Sequence, residues 1–294
     1  MRLATIHHQG QRRAARLAAD GTTLELLGGP APLGLLPLME AAARGEAFPA
    51  VTDRVPLAGA RLDAPLPVPR RNLWCVGRNY HAHAKELLTS VFKDNSAKVD
   101  SWPIVFTKVP ETVIATGADV KLPGAAISSQ IDYEAELTLV IGKGGRNISR
   151  ADALQHVWGY TIINDVTARD VQIRHAQWDL GKSFDTFCPM GPWLVSADEL
   201  DGSNTQVRCW VNGELRQDAN TRDLIFDIPT LVETCSRGIT LLPGDIIATG
   251  TAAGVGMGMN PPRWLGHGDV VRIEIDGVGV LENRFVDTAD GGRA

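Results

Sequence analysis

Cysteine is scarce in this 294-residue chain, and none of the four (Cys75, Cys188, Cys209, Cys235) belongs to a CxxC pair. That scatter argues against a zinc site or a disulfide framework and fits a reducing cytoplasm. No apolar run approaches the ~18 residues that a membrane-spanning helix needs. The opening MRLATIHHQGQRRAARLAADG lacks the long apolar core of a secretory leader. Basic charge is not in excess: 29 Lys and Arg stand against 34 Asp and Glu, a net charge of −5. A nucleic-acid partner is therefore not expected. Familiar catalytic motifs are missing too, with no GxSxG, no HExxH and no Cys–His pattern of family spacing. The Gly-rich stretch GTAAGVGMGMNPP (residues 250–262) has no GKS or GKT. Pro261 and Pro262 stand where the helix of a dinucleotide-binding fingerprint would begin.

What is present is glycine and proline, 30 and 17 residues, in a chain that is 44% hydrophobic. These counts suit a turn-rich β fold and a core large enough for two domains. Residues 1–65 read as a small N-terminal domain of short strands with one Ala/Leu-rich helix near 36–44. Pro65, Pro67 and Pro69 then hold an extended linker. Residues 66–294 read as the main domain, mainly β with short helices inserted (α+β). Asn212-Gly213 marks a hairpin between alternating segments, and Asp276-Gly277 marks a second turn. Residues 88–102 are polar and irregular, a candidate lid. The seven tryptophans, Trp178 among them, are dispersed and read as packing residues.

The segment IDYEAELTLVIG (residues 131–142) poses the sharpest question. Its odd positions, Ile131 to Ile141, form an apolar strand face, while Asp132, Glu134 and Glu136 line up on the other. A row of acids is more often an exposed face than a site, but like charges in a row repel unless something offsets them. In GYTIINDVTARDVQ, Asp165 ends a β-rich run, and Thr167 to Asp170 has the form of a capping box. If its strand neighbours 131–142, Asp165 joins Glu134 and Glu136. Three carboxylates with no His or Cys make a hard oxygen set, suited to Mg²⁺, Mn²⁺ or Ca²⁺. In NYHAHAKELL, His83 and Glu86 share a helical face; an exposed ion pair is the simpler account and an oriented general base the more specific one. Lys182, in a Gly/Pro-punctuated stretch, reads equally as a solvated charge or an anion anchor. Thr251 is the most useful polar side chain of the Gly-rich loop.

Together GRNYHAHAKE, DYEAELTLVIG, GYTIINDVTARDVQ, LGKSFDTFCPMGPWLV and LLPGDIIATGTAAGVG resemble the fumarylacetoacetate hydrolase superfamily, in family order over residues 70–285. The resemblance implies a mixed β-roll catalytic domain, usually homodimeric. It implies magnesium ligands at Glu134, Glu136 and Asp165 and a water-activating dyad of His83 and Glu86. Lys182 and Thr251 would hold substrate oxygens, with Gln172 beside them and Arg78 on a substrate carboxylate. A metal-binding Asp of the tyrosine-degrading branch is replaced by Val76, which points to the bacterial-type branch of acylpyruvases, fumarylpyruvate hydrolases and hydroxymuconate isomerase-like proteins. The expected activity is hydrolysis of a C–C bond in a small 2,4-dioxo acid. Decarboxylation of an oxaloacetate-like acid and hydroxymuconate-type isomerisation remain alternatives on the same site. A non-catalytic, metal-dependent oxo-acid binding protein is the alternative of another class.

Overall fold

A computed structural model describes residues 1–83, 102–174 and 176–288. Glu86 and residues 88–101 of the candidate lid lie outside the described residues. Among the described residues strands dominate and the helices are short, as expected. No helix among them is long and apolar enough to cross a membrane.

Twelve strands join into one wide sheet, and five more form a second sheet. The centre of the wide sheet explains the alternation at 131–142. Strand Ala135–Ile141 is hydrogen-bonded on one side to Val157–Asn164 and on the other to Ile246–Ala248. Strand Leu73–Gly77 then adds parallel to Ile246–Ala248, and Ile104–Lys108 closes that edge. Both faces of the centre are covered. Ile131, Tyr133, Ala135, Leu137, Leu139 and Ile141 enter one apolar core, while Val140 enters a second core on the opposite face. The second core holds Leu36, Leu38 and Met39 of helix Leu36–Ala43; the five-stranded sheet supplies Val207, Ile273 and Phe285 to the first.

The N-terminal strands do not stand apart from this sheet. Arg2–His8 pairs antiparallel with Cys188–Ser196, with Leu3 opposite Leu194. The proline-rich segment is tied down as well, since Pro65 accepts hydrogen bonds from the Thr5 hydroxyl and the Leu35 N–H. The hairpin at Asn212-Gly213 forms as predicted, with Val211 opposite Glu214 and both turn residues at positive φ. The capping box does not form. The helix Arg169–Gln172 has Ala168 at its N-cap with no side-chain cap, and the Thr167 hydroxyl, one residue earlier, donates back to the Asp165 carbonyl.

One side chain joins the two sheets. Gln217, on the outer strand Glu214–Asn220, is buried between them. Its carbonyl oxygen accepts from the Ala135 N–H at 3.0 Å, and its amide donates to Thr251 Oγ1 and the Ala252 carbonyl, each at 2.8 Å. A buried group left without its partner costs about 1–3 kcal/mol. Gln217→Leu should therefore lower the unfolding free energy by about 2–4 kcal/mol in a urea titration; a loss within error of zero would show that the sheets are held by apolar packing alone.

Candidate active site

The pairing of Ala135–Ile141 with Val157–Asn164 places the acids. Ala135 lies opposite Asn164, so the residues just outside this pairing, Glu134 and Asp165, meet: the Asp165 N–H donates to the Glu134 carbonyl at 2.9 Å. The Asn164 side chain fixes the Glu134 N–H in turn. One ligating atom from each of Glu134, Glu136 and Asp165 lies within 4.8 Å of the others, and all three residues are buried. Asp132, the remaining acid of the row, is turned elsewhere. It accepts from the N–H groups of Gly256 and Met257 and from Arg169 Nε. The Gly-rich loop thus wraps the protein's own carboxylates. Gly250 does the same for Glu136, donating its N–H at 2.8 Å from a backbone with φ 98° that a side chain would strain.

Three cations offset the acids. Lys182 Nζ lies 2.8 Å from both Glu134 Oε2 and Asp165 Oδ2. Lys108 Nζ, wholly buried, lies 2.8 Å from Asp165 Oδ1. Arg169 Nη2 reaches Glu134 Oε1 at 2.6 Å. Burial alone would raise the Glu134 carboxyl, but the Lys182 ammonium, the Arg169 guanidinium and nearby His83 more than offset it and hold it at about 2. Glu136 behaves oppositely. Among the described residues it has no cation as close, and burial, then the charges of Asp165 and Glu134, push its carboxyl well up. For Lys182, burial works against the charge, and Asp165 and Glu134 outweigh it, so its ammonium is held more firmly than usual.

Of the residues singled out from sequence, Arg78, His83, Glu134, Gln172, Lys182 and Thr251 line one pocket. Glu136 and Asp165 back it. Thr251 is less available than expected, because its hydroxyl donates to the Ala135 carbonyl while accepting from Gln217. Arg78 is buried and sits at φ 55°, in a left-handed conformation that a non-glycine residue rarely holds without support. Asn79 supplies the support. Its side chain donates to the Phe226 and Thr249 carbonyls and accepts from the Phe226 N–H. Residues 81–83 then begin a helix and bury His83 to 2% exposure.

Sequence reasoning missed four contributors. Arg169 and Lys108 complete the charge balance; Phe106 and Trp178 form part of the pocket wall. Phe106 and Lys108 are two apart on strand Ile104–Lys108 and so share its face, a weak hint that Lys108 points inward with the phenylalanine. Trp178, expected only to pack, packs and lines the pocket at once.

The three carboxylates fit a divalent cation by their chemistry. All donors are oxygen, the set is buried, and among the described residues no ion pair to Glu136 is formed. Fold and site together define a pocket protein with a buried, all-carboxylate cluster bordered by lysine, arginine and histidine.

The family described as "Fumarylacetoacetate (FAA) hydrolase C-terminal" matches residues 72–286, and the chain belongs to it. Oxaloacetate tautomerase YisK of Bacillus subtilis is 49% identical over 230 residues, 78% of this chain and 74% of that one. The mitochondrial oxaloacetate tautomerase fahd2 of Xenopus laevis is 43% identical over 76% of this chain and 67% of its own. Among solved structures, a fumarylacetoacetate hydrolase from Exiguobacterium antarcticum superposes with a TM-score of 0.83 at 38% identity. It covers 98% of this chain and 100% of its own. A 5-carboxymethyl-2-hydroxymuconate delta-isomerase from Mycobacterium smegmatis gives 0.79 at 34%, with the same coverage.

A cation bound only by the folded protein stabilises it by about 2.7 kcal/mol at a hundred times its dissociation constant. Mg²⁺ or Mn²⁺ should accordingly raise the melting temperature, EDTA should reverse the rise, and Glu136→Ala should abolish it. An unchanged melting curve with either ion would identify the cluster as an ion-pair network only.

Proposed function

We propose that the chain is a divalent-cation-dependent enzyme that moves a proton at the carbon beside the oxo group of a small 2-oxo acid. Enol–keto tautomerisation of an oxaloacetate-like acid is the lead activity. One observation carries this: a buried histidine, a lysine and two arginines border the same pocket as the carboxylate cluster. The names of the two tautomerase relatives support it.

A cation held by Glu134, Glu136 and Asp165 would act as a Lewis acid toward the carboxylate and oxo oxygens of the substrate. The chain's own groups do the rest. Arg78 binds a carboxylate and fixes which end of the substrate faces the acids. His83 takes the proton from C3 as a general base and, as the imidazolium, gives it to the oxo oxygen as the acid; the enol-to-keto direction runs the two transfers in reverse. Lys182 holds the negative charge that develops on the oxo oxygen; a preorganised donor at such a position contributes about 3–4 kcal/mol. Gln172 and the backbone near Thr251 border the same oxygens. The apolar wall of Val76, Phe106 and Trp178 keeps water away and strengthens each of these interactions.

A second activity, hydrolysis of a C–C bond in a 2,4-dioxo acid, is favoured by the likeness to a fumarylacetoacetate hydrolase. It asks His83 to deprotonate water instead of carbon, with Glu86 orienting the ring. The product distinguishes the activities: a tautomerase changes the enol absorbance of oxaloacetate without releasing CO₂, a decarboxylase releases it, and a hydrolase forms two acids from an acylpyruvate.

His83→Ala should lower turnover of enol oxaloacetate by about 10²–10⁴-fold while cation binding by calorimetry persists. Near-wild-type turnover in that variant would remove the histidine from the mechanism. Lys182→Met should lower kcat by a comparable factor, about 10²–10³, with the cation still bound.

A further inference from the structure

Trp178 occupies a position that neither the charge balance nor the proton transfer requires. Its ring forms one wall of the pocket beside Val76, Gly77 and Phe106, and Glu134 and Lys182 line the same pocket. Three neighbours hold it there. A Cβ on Gly77 would come 2.4 Å from Cζ3 of the ring, so the indole lies directly against the backbone of strand Leu73–Gly77. Phe106 meets it with centroids 5.4 Å apart and planes tilted by 60°. The Arg78 guanidinium lies 5.9 Å from its centroid.

The chain beside the ring is pinned as well. Asp179 accepts from both the N–H and the hydroxyl of Thr107, at 3.1 and 2.7 Å. This ties the residue after Trp178 to the strand that carries Phe106. Trp178 caps the short helix Asp179–Lys182 and Lys182 ends it. Positions four apart on a helix share a face, so one turn sets both the wall and the ammonium. Phe106 touches both ends of this arrangement, with its ring 4.9 Å from Lys182 Nζ. The pocket that this wall encloses is small, and a ligand tail directed at the wall meets the Trp178 ring.

The geometry points to Trp178 as a specificity-determining residue. With Gly77 and Phe106 it is an apolar stop that admits a short 2-oxo acid and turns away one bearing a bulky group beyond C3. Val76 and Phe106 are buried within strands, whereas Trp178 is partly buried at the end of an element, packed on the edge of a core. It is therefore the part of the wall whose size can change with least disturbance of the core. The assignment rests on the 2-oxo acid activity proposed above.

Oxamate and N-propyloxamate separate the two ideas, because they share a 1,2-dicarbonyl head and differ only in the tail. With Mg²⁺ present, calorimetry on the wild-type chain should show oxamate bound, and the tail should weaken binding by about tenfold or more, the cost of a group that a pocket cannot fit. In Trp178→Ala the tail penalty should shrink to about threefold or less. The penalty is a ratio, so a uniform loss of affinity through Arg78 leaves it unchanged. Trp178→Leu, which keeps an apolar side chain against Gly77, should shift the penalty in the same direction and decides the matter if the alanine variant does not fold. An equal penalty in wild type and variant with oxamate still bound, or no penalty in the wild type, overturns the assignment of Trp178. If wild type binds no oxamate, the 2-oxo acid activity itself fails and this inference falls with it.

Discussion

Like-charge repulsion among buried carboxylates is the constraint around which this chain is arranged. Asp132, Glu134, Glu136 and Asp165 are all withdrawn from water, and each would be costly alone. Lys108, Arg169 and Lys182 offset them, and each comes from a different element: an edge strand, the helix after Asp165, and the helix after Trp178. The Gly-rich loop adds N–H donors to Asp132 and Glu136. Breaking one member of such a set costs about 3–5 kcal/mol, whereas the intact set contributes little net stability over an apolar core. Its effect is positional. It forces five separate segments to one point, and the pocket lies there.

The same arrangement suits carbon-acid chemistry. Removing a proton beside a carbonyl needs a base that is desolvated and a positive field where the electrons go. A buried imidazole and a lysine more firmly protonated than usual meet those needs in the proposed activity. Tautomerisation and C–C hydrolysis differ mainly in whether water is admitted beside the histidine. The pocket wall therefore bears on the reaction as much as the acids do.

Much of this was legible in the residues. The two-residue alternation of 131–142 correctly separated an apolar face from an acidic one, because the side-chain period of a strand is a local property. What periodicity could not give was burial of the acidic face. That depends on Ile104–Lys108 and the 250–257 loop arriving from far along the chain. Glu134, Glu136 and Asp165 were found because carboxylates at a strand end have a recognisable pattern; Lys108 and Arg169 were missed because a lone basic residue resembles any solvated charge. The Thr167–Asp170 motif misled for a local reason. A threonine hydroxyl can serve the preceding backbone as well as the following one, and here it donates back to the Asp165 carbonyl while the helix starts one residue later, after Ala168.

Lys182 reaching both Glu134 and Asp165 places one fixed positive charge on two of the three clustered carboxylates. Metal-nucleated small domains collapse only around their ion; here the helix Asp179–Lys182 delivers counter-charge to the same acids from within the fold. In the proposed activity a single ammonium is thereby shared between the protein's own acids and the substrate, so whatever loosens one contact strengthens the other.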